Sequence, residues 1–270
     1  MGRHRISESV ELPGVSLYVE SEGEGPAVVL LHGMPLDHRM WDETFAVLKR
    51  RYRTLRYDLR GMGRSGSGLG PFAHHEDLRA LLEALGLDRA SLVGISVGGK
   101  IAIDYALRYP DTVQSLVLVN PGVSGYRWSD EFLALEADLH RLWEQGLRDQ
   151  ALERFLQTWV DGPFRRNGEV HPSVRRRVRQ LVADNWERAR THTPQFLSAI
   201  DRLSDISAPT LVIRGDQDWE EIQALAQFVA ASIPRAELVT LTGTGHLPPL
   251  EQPDVFHAYL LRFLERHATG

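Results

Sequence analysis

Ser91-Leu92-Val93-Gly94-Ile95-Ser96-Val97-Gly98-Gly99-Lys100-Ile101-Ala102-Ile103-Asp104-Tyr105 decides the fold. Its start is an apolar run of strand length, and its end repeats apolar residues with a helical period. Between them, Gly94-Ile95-Ser96-Val97-Gly98 fits G-x-S-x-G and is followed by Gly99. Such a turn lifts the Ser96 hydroxyl above the sheet edge. It also aims the backbone N–H of Val97, at the helix start, toward a developing oxyanion. Gly94 and Gly98 leave room for a cramped backbone. A small-residue turn without chemistry is the plain alternative, and the strand–turn–helix setting favours a nucleophile.

Outward from this stretch the same alternation covers most of the chain. Val15–Glu20, Ala27–Leu31, Arg53–Tyr57, Ala90–Ile95, Gln114–Val119, Pro209–Arg214 and Glu237–Leu241 read as strands. Asp37–Arg50, Phe72–Leu85, Val97–Arg108, Glu220–Ser232 and Val255–His267 read as helices. Ala27–Leu31, AVVLL, is continuously apolar, as a strand buried on both faces should be. Strand–helix–strand order predicts a parallel sheet covered by helices on both faces. From Pro121 to about Ala208 no convincing strand occurs. That interval is rich in Leu, Arg, Trp and Glu, holds Trp128, Trp143, Trp159 and Trp186, and predicts a helical insertion. The basic run Arg175-Arg176-Arg177-Val178-Arg179 reads as a solvated helix face.

Bulk properties narrow the class. The chain has 270 residues, 43% hydrophobic and 25% charged, which excludes disorder and fits one large α/β domain or a core with an insertion. Cysteine is absent, which excludes disulfides, thiolate metal sites, a cysteine nucleophile and iron–sulfur clusters. A net charge of −5 gives no overall pull toward nucleic acid or an anionic membrane. The N-terminus MGRHRISESVEL lacks the apolar stretch of a signal peptide, and Ile6 stands where myristoylation needs Ser or Thr. Apolar runs are too short to span a bilayer. A cytoplasmic protein is the expectation.

Three further stretches can meet Ser96. His32-Gly33-Met34-Pro35 follows an apolar strand and can offer a second backbone N–H, that of Met34, to the same oxyanion, with His32 itself structural. Gly243-Thr244-Gly245-His246 follows the last strand and can swing an imidazole over the sheet to take the Ser96 proton. The other histidines lack that setting. His74 and His75 read as an exposed helix start, and His38, His140, His171, His192, His257 and His267 as surface or satisfied positions. Arg214-Gly215-Asp216-Gln217-Asp218 supplies a carboxylate that can orient His246. Asp216 and Asp218 compete for this role, and periodicity does not separate them. The residue directly after the strand-ending glycine is held by the turn, whereas two residues further the chain has cleared the sheet edge. The order Ser, Asp, His on alternating strands and helices is the α/β-hydrolase order. A rival pattern, Gly61-Met62-Gly63-Arg64-Ser65-Gly66, fits G-x-G-x-x-G. Gly68, Gly70 and Pro71 follow it, so no helix opens there to hold a dinucleotide.

With these residues in place, the sequence resembles the α/β-hydrolase fold superfamily over nearly its whole length. HGMP, YDLRGMGRSG, GISVGG, RGDQD and GTGHLPPLEQP occur in the expected order. Within the superfamily it is most similar to capped esterases, 3-oxoadipate enol-lactonase-like hydrolases and cofactor-free haloperoxidase relatives. Ser96 argues against the branches whose nucleophile is Asp. The resemblance implies a mostly parallel eight-stranded sheet flanked by helices, with a helical cap inserted after the sixth strand. The core would be residues 1–120 and 209–270 and the cap 121–208. It also implies Asp218 as the acid, since that acid is usually the third residue after the glycine. The implied chemistry is acyl transfer from a small, largely apolar ester or lactone to Ser96 and then to water, with no metal or organic cofactor. No nucleic-acid or membrane partner is implied, and the oligomeric state stays open. Tyr126, Arg127 and Trp128, at the entry to the cap, are expected to line the substrate pocket, with Arg127 able to meet a substrate carboxylate. Two alternatives share the triad: a ligand receptor or signalling protein with little turnover, and a C–C bond hydrolase.

Overall fold

The computed structural model describes residues 5–166, 168–189 and 194–268. Its strands are β1 (Arg5–Leu12), β2 (Val15–Glu22), β3 (Ala27–Leu31), β4 (Arg53–Tyr57), β5 (Ala90–Ile95), β6 (Val113–Val119), β7 (Thr210–Gly215) and β8 (Ala236–Leu241). They form one eight-stranded sheet in the order β1-β2-β4-β3-β5-β6-β7-β8. β1 pairs antiparallel with β2, and β2 antiparallel with β4. All other neighbours are parallel. The register sets Leu31 beside Gly94, Ile95 beside Val119, Val119 beside Ile213 and Gly215 beside Leu241. The carboxyl ends of β3, β5, β6, β7 and β8 therefore share one edge, where ligands bind in open α/β sheets.

The helices are α1 (Asp42–Leu48), α2 (His74–Ala84), α3 (Val97–Arg108), α4 (Asp130–Glu144), α5 (Arg148–Leu156), α6 (Pro172–Ala189), α7 (Glu220–Ser232), α8 (Pro248–Glu251) and α9 (Pro253–His267). Side-chain alternation along the strands divides the core. Val28, Leu30, Val93, Ile95, Val117 and Val119 face α1 and α9, while Val29, Leu31, Leu92, Leu116 and Leu118 face α2, α3 and α7. Because both faces are covered, β3 and β5 are buried at every residue. The segment between β6 and β7 is helical. Its Leu139, Trp143, Phe155 and Trp186 join the apolar cluster that contains α1 and α9. Among the described residues no helix is long and apolar enough to cross a membrane.

Several expectations need correction. β1 is a strand that the apolar pattern does not show. It is an edge strand, and among its described side chains only Ile6, Val10 and Leu12 are even half-buried. The helix expected over Asp37–Arg50 divides into a 3-10 turn, His38–Trp41, and α1, because Asp37 caps the turn by accepting from the Arg39 N–H at 3.0 Å. His74 and His75 are buried (3% and 5% exposed), the first against Phe72 with rings 5.1 Å apart. The Arg175–Arg179 run is not simply solvated. Arg175 pairs with Asp161 and Glu153, Arg179 pairs with Asp149, and Arg177 donates to Asp42 and to the Arg39 carbonyl. His192 lies outside the described residues.

Candidate active site

β5 passes into α3 through one residue, Ser96, at φ 55 and ψ −115. A non-glycine residue there is rare, and such backbone strain costs about 1–3 kcal/mol. The surroundings enforce it. The Ser96 N–H donates to the Val119 carbonyl at 3.0 Å, and its own carbonyl accepts from Lys100 and Gly122, each at 3.0 Å. The turn is crowded enough that a Cβ on Gly98 would lie 2.2 Å from the Leu31 carbonyl oxygen, and one on Gly94 2.3 Å from the Gly98 oxygen. The Ser96 side chain makes no cap bond to α3, so the first N–H groups of the helix, Val97 among them, have no serine cap.

The loop after β3 lies beside this turn. A Cβ on Gly33 would sit 3.5 Å from the Ser96 Cβ. Leu36 N–H donates to the Gly33 carbonyl at 2.9 Å, closing a turn that carries the cis Met34–Pro35 bond. His32 is buried, and burial lowers its pKa. Its Nε2 accepts from the Leu59 N–H at 3.0 Å, so the proton sits on Nδ1, which donates to the Gly33 carbonyl at 2.9 Å. His32 thus holds the loop in place, as a structural residue.

On the loop after β8, His246 Nδ1 donates to Asp218 Oδ2 at 2.6 Å, and the two are 6% and 1% exposed. The other Asp218 oxygen accepts from the Trp219 N–H at 2.8 Å. Asp216 points elsewhere, taking the Gly243 N–H at 2.7 Å and the Gln217 side chain at 3.0 Å. Of the two acids it is Asp218 that meets His246, and Asp216 ties down the loop. Gly215 allows this closeness, since a Cβ there would lie 2.2 Å from the Thr244 carbonyl oxygen.

Three further residues position the imidazole, and none stands out in the sequence. Asn120 follows β6 in a left-handed conformation, φ 39, that Asn tolerates. Its side chain donates to the carbonyls of Gly245 (3.1 Å) and His246 (3.0 Å) and accepts from the Gly215 N–H (3.2 Å). Glu251 accepts from the N–H groups of Gly245 and Leu247 and pairs with Arg165. Arg165 in turn donates to the Asp161 and Val160 carbonyls, which close a π-helical turn, Gln157–Asp161. That turn sets the Trp159 ring 4.6 Å from the His246 ring.

Ser96, His246, Gly33, Met34 and Val97 all line one cavity of about 350 Å³. Its other wall comes from the inserted helices through Phe132, Glu136, Phe155, Trp159 and Trp186. Trp128 lines it as well. Tyr126 and Arg127 are not among its lining residues, which corrects the expectation for both. Tyr126 stands behind Trp128, with its hydroxyl donating to Glu221 at 3.3 Å, and Arg127 is exposed. The cation in the cavity wall is Lys100. Asp37, His38 and Asp58 bring ligand-type atoms together, but they are engaged within the protein. Asp58 accepts from His38 at 2.7 Å and from the Arg64 N–H at 2.8 Å, and Asp37 holds Arg39 and Asn185.

The alpha/beta hydrolase family model matches residues 28–259. The pimeloyl-[acyl-carrier protein] methyl ester esterase of Nitrosospira multiformis is 34% identical over 266 residues, 92% of this chain and 98% of its own. The 2-hydroxy-6-oxononadienedioate/2-hydroxy-6-oxononatrienedioate hydrolase of Burkholderia vietnamiensis is 29% identical, over 89% of this chain and 87% of its own. The solved structure of Est816, described as an N-acyl homoserine lactone degrading enzyme, superposes with a TM-score of 0.79 at 29% identity, covering 95% of this chain and all of its own.

Proposed function

The chain belongs to the alpha/beta hydrolase family, and from that premise we propose that it is a serine hydrolase that cleaves carboxylic esters or lactones through an acyl-enzyme. The observation that carries this reading is the His246–Asp218 bond at 2.6 Å, made at a cavity that the strained Ser96 also lines. With Asp218 accepting from Nδ1, the imidazole is held in the tautomer whose Nε2 can take a proton. Ser96 Oγ attacks the carbonyl carbon as its proton passes to His246. The Val97 and Met34 N–H groups receive the negative charge that develops on the carbonyl oxygen. The alcohol leaves with the proton from His246. A water, deprotonated by His246, then attacks the acyl carbon and releases the acid and Ser96.

In this reading residues 121–208 act as the cap that shapes the substrate site. Trp128, Phe132, Phe155, Trp159 and Trp186 suit a small, largely apolar substrate. The names of the relatives above include a methyl ester esterase, a lactone-degrading enzyme and a hydrolase of oxo-dienedioates. The test is therefore a panel of esters, lactones and vinylogous diketones, assayed with wild type and Ser96→Ala. Ester or lactone turnover that falls on the order of 10⁶-fold in Ser96→Ala supports the proposal. Diketone cleavage alone would reassign the protein to C–C hydrolysis. Tight ligand retention with a single turnover would reassign it to a receptor.

A further inference from the structure

Two charged side chains in the cavity, Lys100 and Glu136, have no part in the chemistry above. Glu136 sits on α4 four residues after Phe132, so the two share a helix face, and both line the cavity. Aromatic rings continue from that face to the reacting groups. Trp128 stacks on Phe132 with centroids 4.3 Å apart, Phe132 meets Trp159 edge to face at 5.6 Å, and Trp159 lies 4.6 Å from His246.

A carboxyl group on such a wall is costly unless something compensates it. Several buried acids of this protein have a basic partner: Asp37 has Arg39, Asp58 has His38, and Glu251 has Arg165. Among the described residues no basic side chain pairs with Glu136. Glu136 is half-buried, and this partial burial pushes its pKa up. The cavity's lysine does not answer it, because the Lys100 ammonium lies over the Phe196 ring, 4.5 Å from its centroid.

A carboxylate and aromatic rings lining one cavity are the chemistry that receives an organic cation. A primary ammonium needs up to three acceptors, which this wall does not offer, whereas a quaternary ammonium, which carries no N–H, needs none. We propose that Glu136, Phe132 and Trp159 form a subsite for a quaternary ammonium group carried by the substrate, which makes Glu136 a specificity-determining residue. The proposal rests on the reading of Ser96 and His246 as the reacting pair. A substrate seated this way has its carbonyl at Ser96 and its cationic end under α4.

The test compares acetylcholine with its neutral isostere, in which carbon replaces nitrogen, on wild type and Glu136→Gln. Wild type should favour the cation in kcat/KM by roughly ten- to thirtyfold, the range of a desolvated cation–aromatic contact. Glu136→Gln should lose most of that preference, its kcat/KM falling much further for the cationic ester than for the neutral one. Equal use of both esters, or a preference that survives Glu136→Gln, overturns the subsite and leaves the hydrolase reading standing. Preference for an anionic ester over its neutral isostere, lost in Lys100→Met, also overturns it. Tetramethylammonium titration, followed by tryptophan fluorescence, tests the subsite without turnover. Saturable quenching that weakens about tenfold in Glu136→Gln supports it even where neither ester is cleaved, an outcome that would count against the hydrolase reading alone. Absent or unchanged quenching overturns it.

Discussion

The Asn120 side chain donates to the His246 carbonyl at 3.0 Å, so the end of β6 sets where the imidazole loop sits. The same amide takes the Gly215 N–H at 3.2 Å, at the start of the loop that carries Asp218. One side chain thus binds the supports of both members of the His–Asp pair. Asn120→Ala strands buried backbone groups on both loops and should cost about 1–3 kcal/mol of stability. Turnover should fall more than stability alone explains, because the His246–Asp218 geometry loosens. Denaturant unfolding and kcat measured on the same preparation check this, and an unchanged kcat would remove Asn120 from the positioning of His246.

Asp218 and Asp216 should separate cleanly. Asp218→Asn can present its amide to His246 Nδ1 and favour the wrong tautomer, so kcat should fall by about 10⁴-fold with the fold intact. Asp216→Asn keeps an acceptor for the Gly243 N–H and should lose less than about tenfold. Both variants are compared on one ester at one pH. A larger loss for Asp216→Asn would reverse the assignment.

Acid stability should carry a mark of Asp37. Its carboxyl is buried, which opposes ionisation, but Arg39 and Asn185 outweigh burial and lower its pKa from 3.8 to about 2. A depressed folded pKa stabilises the folded state above the unfolded value, and that stability is lost as pH falls through the folded value. The contribution of Asp37 should therefore be complete above about pH 5 and vanish toward about pH 1. Unfolding free energy against pH should lose slope in this window in Asp37→Asn. An unchanged slope would show that Asp37 is not depressed.

Trp128 and Tyr126 should differ although they are two residues apart. Trp128 lines the cavity, so Trp128→Ala should change the order of preference among acyl chain lengths. Tyr126→Phe loses only the bond to Glu221 and should leave that order alone. Initial rates over a series of p-nitrophenyl esters measure both, and equal changes in the two variants would contradict the cavity's boundary.

How much could be read from the sequence follows from what local pattern can carry. β3 and β5 are apolar runs because both sheet faces are covered, and the Ser96 turn shows in its glycines. β1 hides among serines and glutamates because an edge strand has little apolar surface to bury. Asp218 could be told from Asp216 only through resemblance and turn geometry, since both follow Gly215 and the structure alone shows which one meets His246. Asn120 and His246 are 126 residues apart and share no motif. Arg165 and Glu251 join the helical segment between β6 and β7 to the His246 loop in the same way. Glu136 looks like any acid on an amphipathic helix until the cavity shows which face it occupies.

The central claim is that Ser96 is the nucleophile, activated by His246. The direct measurement is labelling of the whole protein with a fluorophosphonate, followed by peptide mapping. A single adduct on Ser96 is predicted, absent in Ser96→Ala and formed far more slowly in His246→Ala. An adduct on another residue, or continued ester turnover in Ser96→Ala, would contradict it.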